Sequence, residues 1–378
     1  MGLRVSNVLV AVVVAAASSL ASSASTEPSP SPSAAAASEG CPSVAGRRPA
    51  GAPRARRFTT YLNAADATRG LQDLSHDPAV AVVSGQWLRF TTTGALVPLP
   101  RAPSRADAGR IVRQLHARGI KVFVTITNKN EQGDWDPELT RTMLADREHA
   151  ARQFARYARA VGYDGIDLDI ERLGPQDMQG YVDFLRRLSR KLHRDHKQLT
   201  VYLKARTLTD DGGRHGANIA RHVDQIRLGT YNYHLSTNKD PEPFAPYGAV
   251  ERDLCQVLAY VPPAKLALGL TSKGIDWPVD EQGRKANTNP PRSRQWLDLR
   301  RELPDGTTFR WDTDARGTEF LISSGSLRRH GWLEDGRSAR HKLLLADRYG
   351  VDAFLFRLGG SDPLIWTYVN QWVAGTLR

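Results

Sequence analysis

Of 378 residues only two are cysteine, Cys41 and Cys255, and three are methionine. Neither cysteine lies near a second cysteine or a histidine pair, which argues against a zinc site. Beyond the N-terminal end there is no second apolar run of about 18 residues, the length a membrane helix needs. No glycine-rich phosphate loop follows the first strand-like run, which weakens a dinucleotide-binding sheet. The sequence also lacks acidic balance: 52 Lys and Arg against 40 Asp and Glu give a formal charge of +12. The excess is mostly scattered arginine, and no aromatic-basic recognition motif accompanies it, so nucleic acid ranks low as a partner. Most of it reads as a solvated basic surface, one that would draw an exported protein to anionic surfaces such as cell-wall polymers.

Residues 1–24, "MGLRVSNVLVAVVVAAASSLASSA", have a basic start at Arg4, an apolar core from Val8 to Ala17, and small residues at Ala21 and Ala24. That is a secretory signal pattern, with an uncleaved anchor as the alternative, and a secreted, wall-associated location is expected. Residues 25–53 are low-complexity Pro, Ser and Ala and read as a flexible linker. In an exported protein Cys41 and Cys255 either pair, pinning the arm to the body, or stay separate thiols. Residues 54–378 are long for an average domain and normal for one α/β barrel. A monomer is expected, although the sequence itself leaves the oligomeric state open.

Eight apolar, β-branched runs read as strands: "RFTTYLN", "AVAVVSGQWLRF", "KVFVTIT", "DGIDLDIE", "QLTVYLKA", "QIRLGTYNYH", "KLALGL" and "AFLFRL". Helical patterns lie between most of them, including Arg105 to Arg118, Arg141 to Ala160, Gln176 to His196 and Arg252 to Val261, with a last one from Pro363 to Ala374. Strand then helix, repeated about eight times, predicts a parallel sheet closed as a (β/α)8 TIM barrel, with an open doubly wound sheet as runner-up. The long connection from Thr271 to Arg337 contains "TTFRWDTDARGTEFLI", two alternating runs flanking "DARG". It reads as a small β-hairpin inserted at the barrel mouth.

"YDGIDLDIERLG" puts Asp164, Asp167, Asp169 and Glu171 into eight residues of a strand pattern. Side chains alternate along a strand, so Asp167, Asp169 and Glu171 share one face, and Ile166, Leu168 and Ile170 the other. In a barrel the apolar face packs on helices. The acids then run up the axis, and Glu171 ends the line at the C-terminal mouth, where barrel enzymes keep their active sites. Three readings stand. The acids are structural, bonded to backbone and to Tyr or Arg; or they hold Mg²⁺ or Ca²⁺; or they do proton chemistry, the crowding keeping Glu171 protonated above Asp169. The third is preferred because crowded acids at a cleft commonly mark a working site. No cofactor or metal is expected.

"DGIDLDIE" matches the DGxDxDxE signature of the family 18 glycoside hydrolases, the chitinase-type barrels, at Asp164, Gly165, Asp167, Asp169 and Glu171. "GTYNYH" resembles that family's sixth-strand MxYD segment, with Tyr231 at the Tyr position. The ending "RLGGSDPLIW" is similar to the bacterial branch that includes spore-cortex and cell-wall N-acetylglucosaminidases. The resemblance implies retaining, substrate-assisted hydrolysis of β-linked N-acetylglucosamine glycans, an exception to the two-carboxylate rule. It gives Glu171 the part of acid and base, Asp169 that of orienting the sugar's acetamide, Asp167 that of supporting Asp169, and Tyr231 a bond to the acetamide oxygen. Peptidoglycan stands slightly ahead of chitin.

The chain departs from the family pattern in three places. Gly229 stands at the Met position, Asn232 at the Asp after the Tyr, and Phe356 where a Trp often floors the sugar. Trp87 and Trp277 are either further sugar-stacking surface or ordinary core aromatics. A non-catalytic carbohydrate-binding protein of the same fold is the alternative, and the retained Glu171 weighs against it.

Overall fold

A computed structural model of the chain describes residues 55–378 apart from 77, 236–237, 239, 287–290 and 325–326. The signal pattern, the linker and Cys41, with the open question of its pairing to Cys255, lie outside the described residues. The first strands in chain order are β1 (Phe58–Asn63), β2 (Val82–Phe90), β3 (Leu96–Pro98), β4 (Lys121–Thr127), β5 (Gly165–Asp169), β6 (Gln198–Lys204) and β7 (Gln225–Gly229). They are followed by β8 (Leu266–Thr271), β9 (Lys273–Pro278), β10 (Arg292–Gln295), β11 (Thr308–Asp312), β12 (Gly317–Ser324), β13 (Leu327–Leu333) and β14 (Asp352–Phe356).

One sheet runs β1-β14-β8-β7-β6-β5-β4-β2, with β3 hairpinned onto β2, and β1 also pairs with β2. That last pairing, Thr59 to Val82 through Asn63 to Gln86, closes eight parallel strands into a barrel. These eight are the runs expected from the sequence. Val122, Val124, Ile126, Ile166, Leu168 and Ile170 are buried on the outer face of β4 and β5, in the core shared with the helices. Each such side chain contributes about 1.5–3 kcal/mol when fully buried.

The expected helix over 141–160 is two helices, Pro137–Ala145 and Arg147–Val161. Asp146 separates them because its carboxylate accepts the His149 N–H at 3.1 Å, capping the second helix at its N-terminus. Gly162, at φ 92°, ends that helix and turns the chain into β5.

The expected hairpin is present as β11 and β12, registered Thr308 to Leu321 through Asp312 to Gly317. It is the edge of something larger, a five-stranded antiparallel sheet ordered β10-β9-β13-β12-β11. The hairpin reading stopped short because β9 and β13 are distant in sequence and pair only in the fold, for example Ile275 with Trp332. Leu299, Phe320, Ile322 and Leu333 give the insertion a small core of its own. Since β9 starts two residues after β8 ends, the sheet is rooted at the C-terminal mouth.

Candidate active site

Strand register sets the site in layers. Asp167 lies level with Thr125 of β4 and Thr200 of β6, and Asp169 with Thr127 and Tyr202. Glu171 follows just beyond the end of β5. All three acids therefore share the inward face, as the alternation predicts, but they do not share one environment.

Asp167 is fully buried and saturated. It accepts hydrogen bonds from Tyr61 at 2.9 Å, Thr125 at 3.3 Å and Thr200 at 2.5 Å. The buried Arg227 of β7 completes the set, with Nη1 3.2 Å from Asp167 Oδ1. The guanidinium lies 5.1 Å from the centre of the Tyr61 ring and 5.7 Å from that of Phe123. The structural reading of the buried acids therefore describes Asp167.

Asp169 is different. It is 7 % exposed, takes one hydrogen bond from Gln86 at 3.3 Å, and its Oδ1 has no protein partner. Burial raises its carboxyl well above the usual range, and the charges of Glu171 and Asp167 add to the effect. The charge of Lys129 and the Gln86 bond work the other way. Desolvation is the largest cause because Asp169 is deeply buried, and the crowding of the acid line adds to it.

A stability consequence follows. A carboxyl raised in the folded state favours folding below its unfolded value of about 3.9, and that contribution is lost as pH rises toward the folded value. Asp169→Asn does not titrate there. The melting temperature of wild type should therefore fall relative to Asp169→Asn as pH rises from about 4 toward neutrality. A gap running in the opposite direction would mean that the fold favours the ionised form of Asp169.

Glu171 has its backbone fixed and its side chain left accessible. Asn128, buried at the end of β4, accepts the Glu171 N–H at 3.0 Å and donates to the Glu171 carbonyl at 2.9 Å. Asn128 is held in turn by the Asp136 carbonyl at 3.1 Å and Thr140 at 3.0 Å. The Glu171 carboxylate is 25 % exposed and 3.8 Å from the ammonium of Lys204, which is itself 55 % exposed. It borders a cleft also lined by Tyr202, Leu173, Lys204 and Thr207.

Tyr231 is buried, its ring 6.2 Å from that of Tyr202, which lines this cleft. Burial first, then the neighbouring Tyr202, Tyr61 and Asp169, raise its hydroxyl well above the ordinary value, so it remains a donor. Its ring stacks on Phe356 at 5.9 Å and an interplanar angle of 14°. Gly229 has a physical reason. A Cβ there would fall 2.2 Å from the Tyr202 hydroxyl, so the missing Met side chain is the space Tyr202 fills. Asn232 is half-buried at φ 61°, a left-handed conformation that Asn tolerates better than most residues.

Trp87 and Trp277 are not sugar surface. Trp87 is 2 % exposed and packs on Tyr163 at 6.1 Å, and Trp277 is 0 % exposed. A bulge in β2 between Gln86 and Leu88 leaves Trp87 without a partner on β4, and Gln86, on the opposite, inward face, reaches Asp169. Tyr61, Gln86, Asn128, Tyr202 and Arg227 escaped the sequence reading. The available signal was a polar side chain at each inward strand position, where a plain core would carry an aliphatic one.

A closed parallel barrel with a line of acids ending at its mouth defines a (β/α)8 protein with its candidate site at the C-terminal end of the strands. Residues 105–356 match the family described as Glycosyl hydrolases family 18, and the chain belongs to that family. It is 28 % identical over 267 residues to the "Cortical fragment-lytic enzyme" of Bacillus subtilis (strain 168), covering 68 % of this chain and 61 % of the relative. The chain thus spans about three fifths of that relative's length. In fold it is similar to a chitinase from Chromobacterium violaceum ATCC 12472, with TM-score 0.74 and 22 % identity over 85 % of this chain and 99 % of that one. It is also similar to the Bacillus cereus spore cortex-lytic enzyme SleL, with TM-score 0.71 and 21 % identity over 84 % of this chain and 75 % of that one.

Proposed function

We propose that this chain is a secreted, retaining glycosidase that cleaves β-linked N-acetylglucosamine glycans by substrate-assisted catalysis. The observation that carries the reading is the contrast along one strand face: a saturated Asp167, a buried Asp169 with a spare oxygen, and an accessible Glu171 on a fixed backbone. Glu171 protonates the glycosidic oxygen while the sugar's own acetamide oxygen attacks the anomeric carbon. Tyr231 donates to that oxygen. Asp169 accepts the acetamide N–H on its spare oxygen and offsets the charge developing there. Water, activated by Glu171 as base, then opens the cyclic intermediate. Phe356 offers a ring for the sugar to stack on, with less area than the expected Trp.

Family membership and the cortex-lytic relative support an N-acetylglucosamine-containing substrate. Secretion rests on the leader pattern of residues 1–24, and attraction to an anionic wall on the charge of +12. The mechanism predicts retention. The first product from an N-acetylglucosamine oligomer, followed by proton NMR before mutarotation, should be the β-anomer. An α product would sink the substrate-assisted route, and a chain that binds such glycans without cleaving them would be a lectin.

A further inference from the structure

The barrel mouth holds two ammonium groups that the proposed reaction does not use. Lys129 stands two residues past the end of β4, and Lys273 two residues past the end of β8. Lys273 Nζ is 4.9 Å from the centre of the Phe356 ring, and Lys129 Nζ is 4.7 Å from that of Trp135. Neither has an ion-pair or hydrogen-bond partner among the described residues. Lys129 is close enough for its charge to act on Lys273, and on Asp169 below. Burial first, then the charges of Arg357 and Lys129, push the Lys273 ammonium down to about 8.

Like charges gathered in a partly desolvated mouth are unfavourable unless an anion offsets them. The other cations at this rim are differently placed. Lys204 lies beside Glu171 and is mostly in water, and Lys285 donates to the Asn238 carbonyl at 2.8 Å. Lys273 alone lies over the ring that the proposed function makes the sugar's platform. An anion that meets it must therefore be carried within a few bonds of the stacked sugar.

Resting on that reading, we infer that Lys273 and Lys129 form an anion subsite beside the Phe356 platform. It takes a carboxylate borne on the sugar itself, so the preferred substrate is an N-acetylglucosamine glycan with acidic sugars and not neutral chitin. A lactyl ether on alternate sugars supplies such a carboxylate wherever the peptide has been removed from a wall glycan. The ammoniums would meet it as point charges, with Lys273 nearest the ring and Lys129 closing the far side.

The test compares wall glycan strands freed of peptide by an amidase with the same strands after carbodiimide amidation of their carboxylates. Wild type should show kcat/KM about tenfold higher on the charged strands, equivalent to about 1.4 kcal/mol, and added salt should narrow the gap. In Lys273→Met the ratio should drop to roughly one to two, and Lys129→Gln should lower it in part. A wild-type ratio near one, or a ratio that survives both changes together, overturns the subsite. The same glycans are titrated against Glu171→Gln with and without the lysine changes, to read affinity without turnover. An inactive wild type whose Glu171→Gln form still favours charged strands through Lys273 sinks the glycosidase reading and leaves the subsite standing. An active wild type indifferent to charge does the reverse.

Discussion

Glu171→Gln should lower kcat on N-acetylglucosamine oligomers by about 10²- to 10⁴-fold, the usual contribution of a positioned acid and base. The melting temperature should stay near that of wild type. Both expectations come from the way the residue is held. Asn128 fixes the backbone of Glu171 through its N–H and carbonyl, and the substitution leaves those bonds alone. The carboxylate's one ion pair, 3.8 Å to a half-exposed Lys204, is of the kind worth little in water. Gln keeps the shape and can still donate to the glycosidic oxygen, but it has no proton to transfer. KM should therefore move much less than kcat. A fall in kcat of less than about tenfold would place the acid elsewhere.

The contrast with Asp169→Asn is informative. That change replaces a carboxylate oxygen by an amide nitrogen and removes the charge, so it should also impair turnover. Unlike Glu171→Gln, it should shift stability with pH as well. One acid has its chemistry exposed and its structural bonds in the backbone. The other has its chemistry buried in the fold, where burial and like charge act on the same carboxyl.

The barrel was legible because each of its eight strands is a short apolar run bounded by helical patterns. The acid line was legible because strand alternation has a period of two. The same alternation turns Gln86 inward beside Asp169 and Trp87 outward into the core, a placement that needs the neighbouring strands to be read. Pairings between distant segments were not legible either. Arg227 sits in "QIRLG" and looks like one more solvated arginine, yet it faces inward from β7 and meets Asp167 across the barrel. Gly229 looks like a lost Met until Tyr202 of the neighbouring strand is seen in its place. Lys273 gave no signal, because its neighbour Phe356 is about 80 residues away in sequence and adjacent only through the β8–β14 pairing.

Arg227→Met should destabilise the chain by about 3–5 kcal/mol, the cost of leaving a buried charge without its partner. Asp167 is buried, and in the variant it keeps only the neutral hydroxyls of Tyr61, Thr125 and Thr200. Met is close in volume and can lie against the Tyr61 and Phe123 rings, so lost packing is a small part of the effect. Asp167→Asn should be costly for the mirror reason. It strands a guanidinium whose Nε and Nη1 make no hydrogen bond beyond that ion pair. The double variant, Arg227→Met with Asp167→Asn, should then be more stable than either single one, since an ion pair taken out as a unit often costs little. Urea unfolding of the four chains measures the coupling, and additive effects would refute the pairing. Activity carries a second readout. If Arg227 only fills the barrel, the double variant should regain wild-type turnover as it regains stability. If the pair fixes the charge beneath Asp169, stability returns while the pH profile of kcat/KM stays displaced. The second outcome is expected, because the charge of Asp167 is one of the causes that raise Asp169 and the double variant removes it.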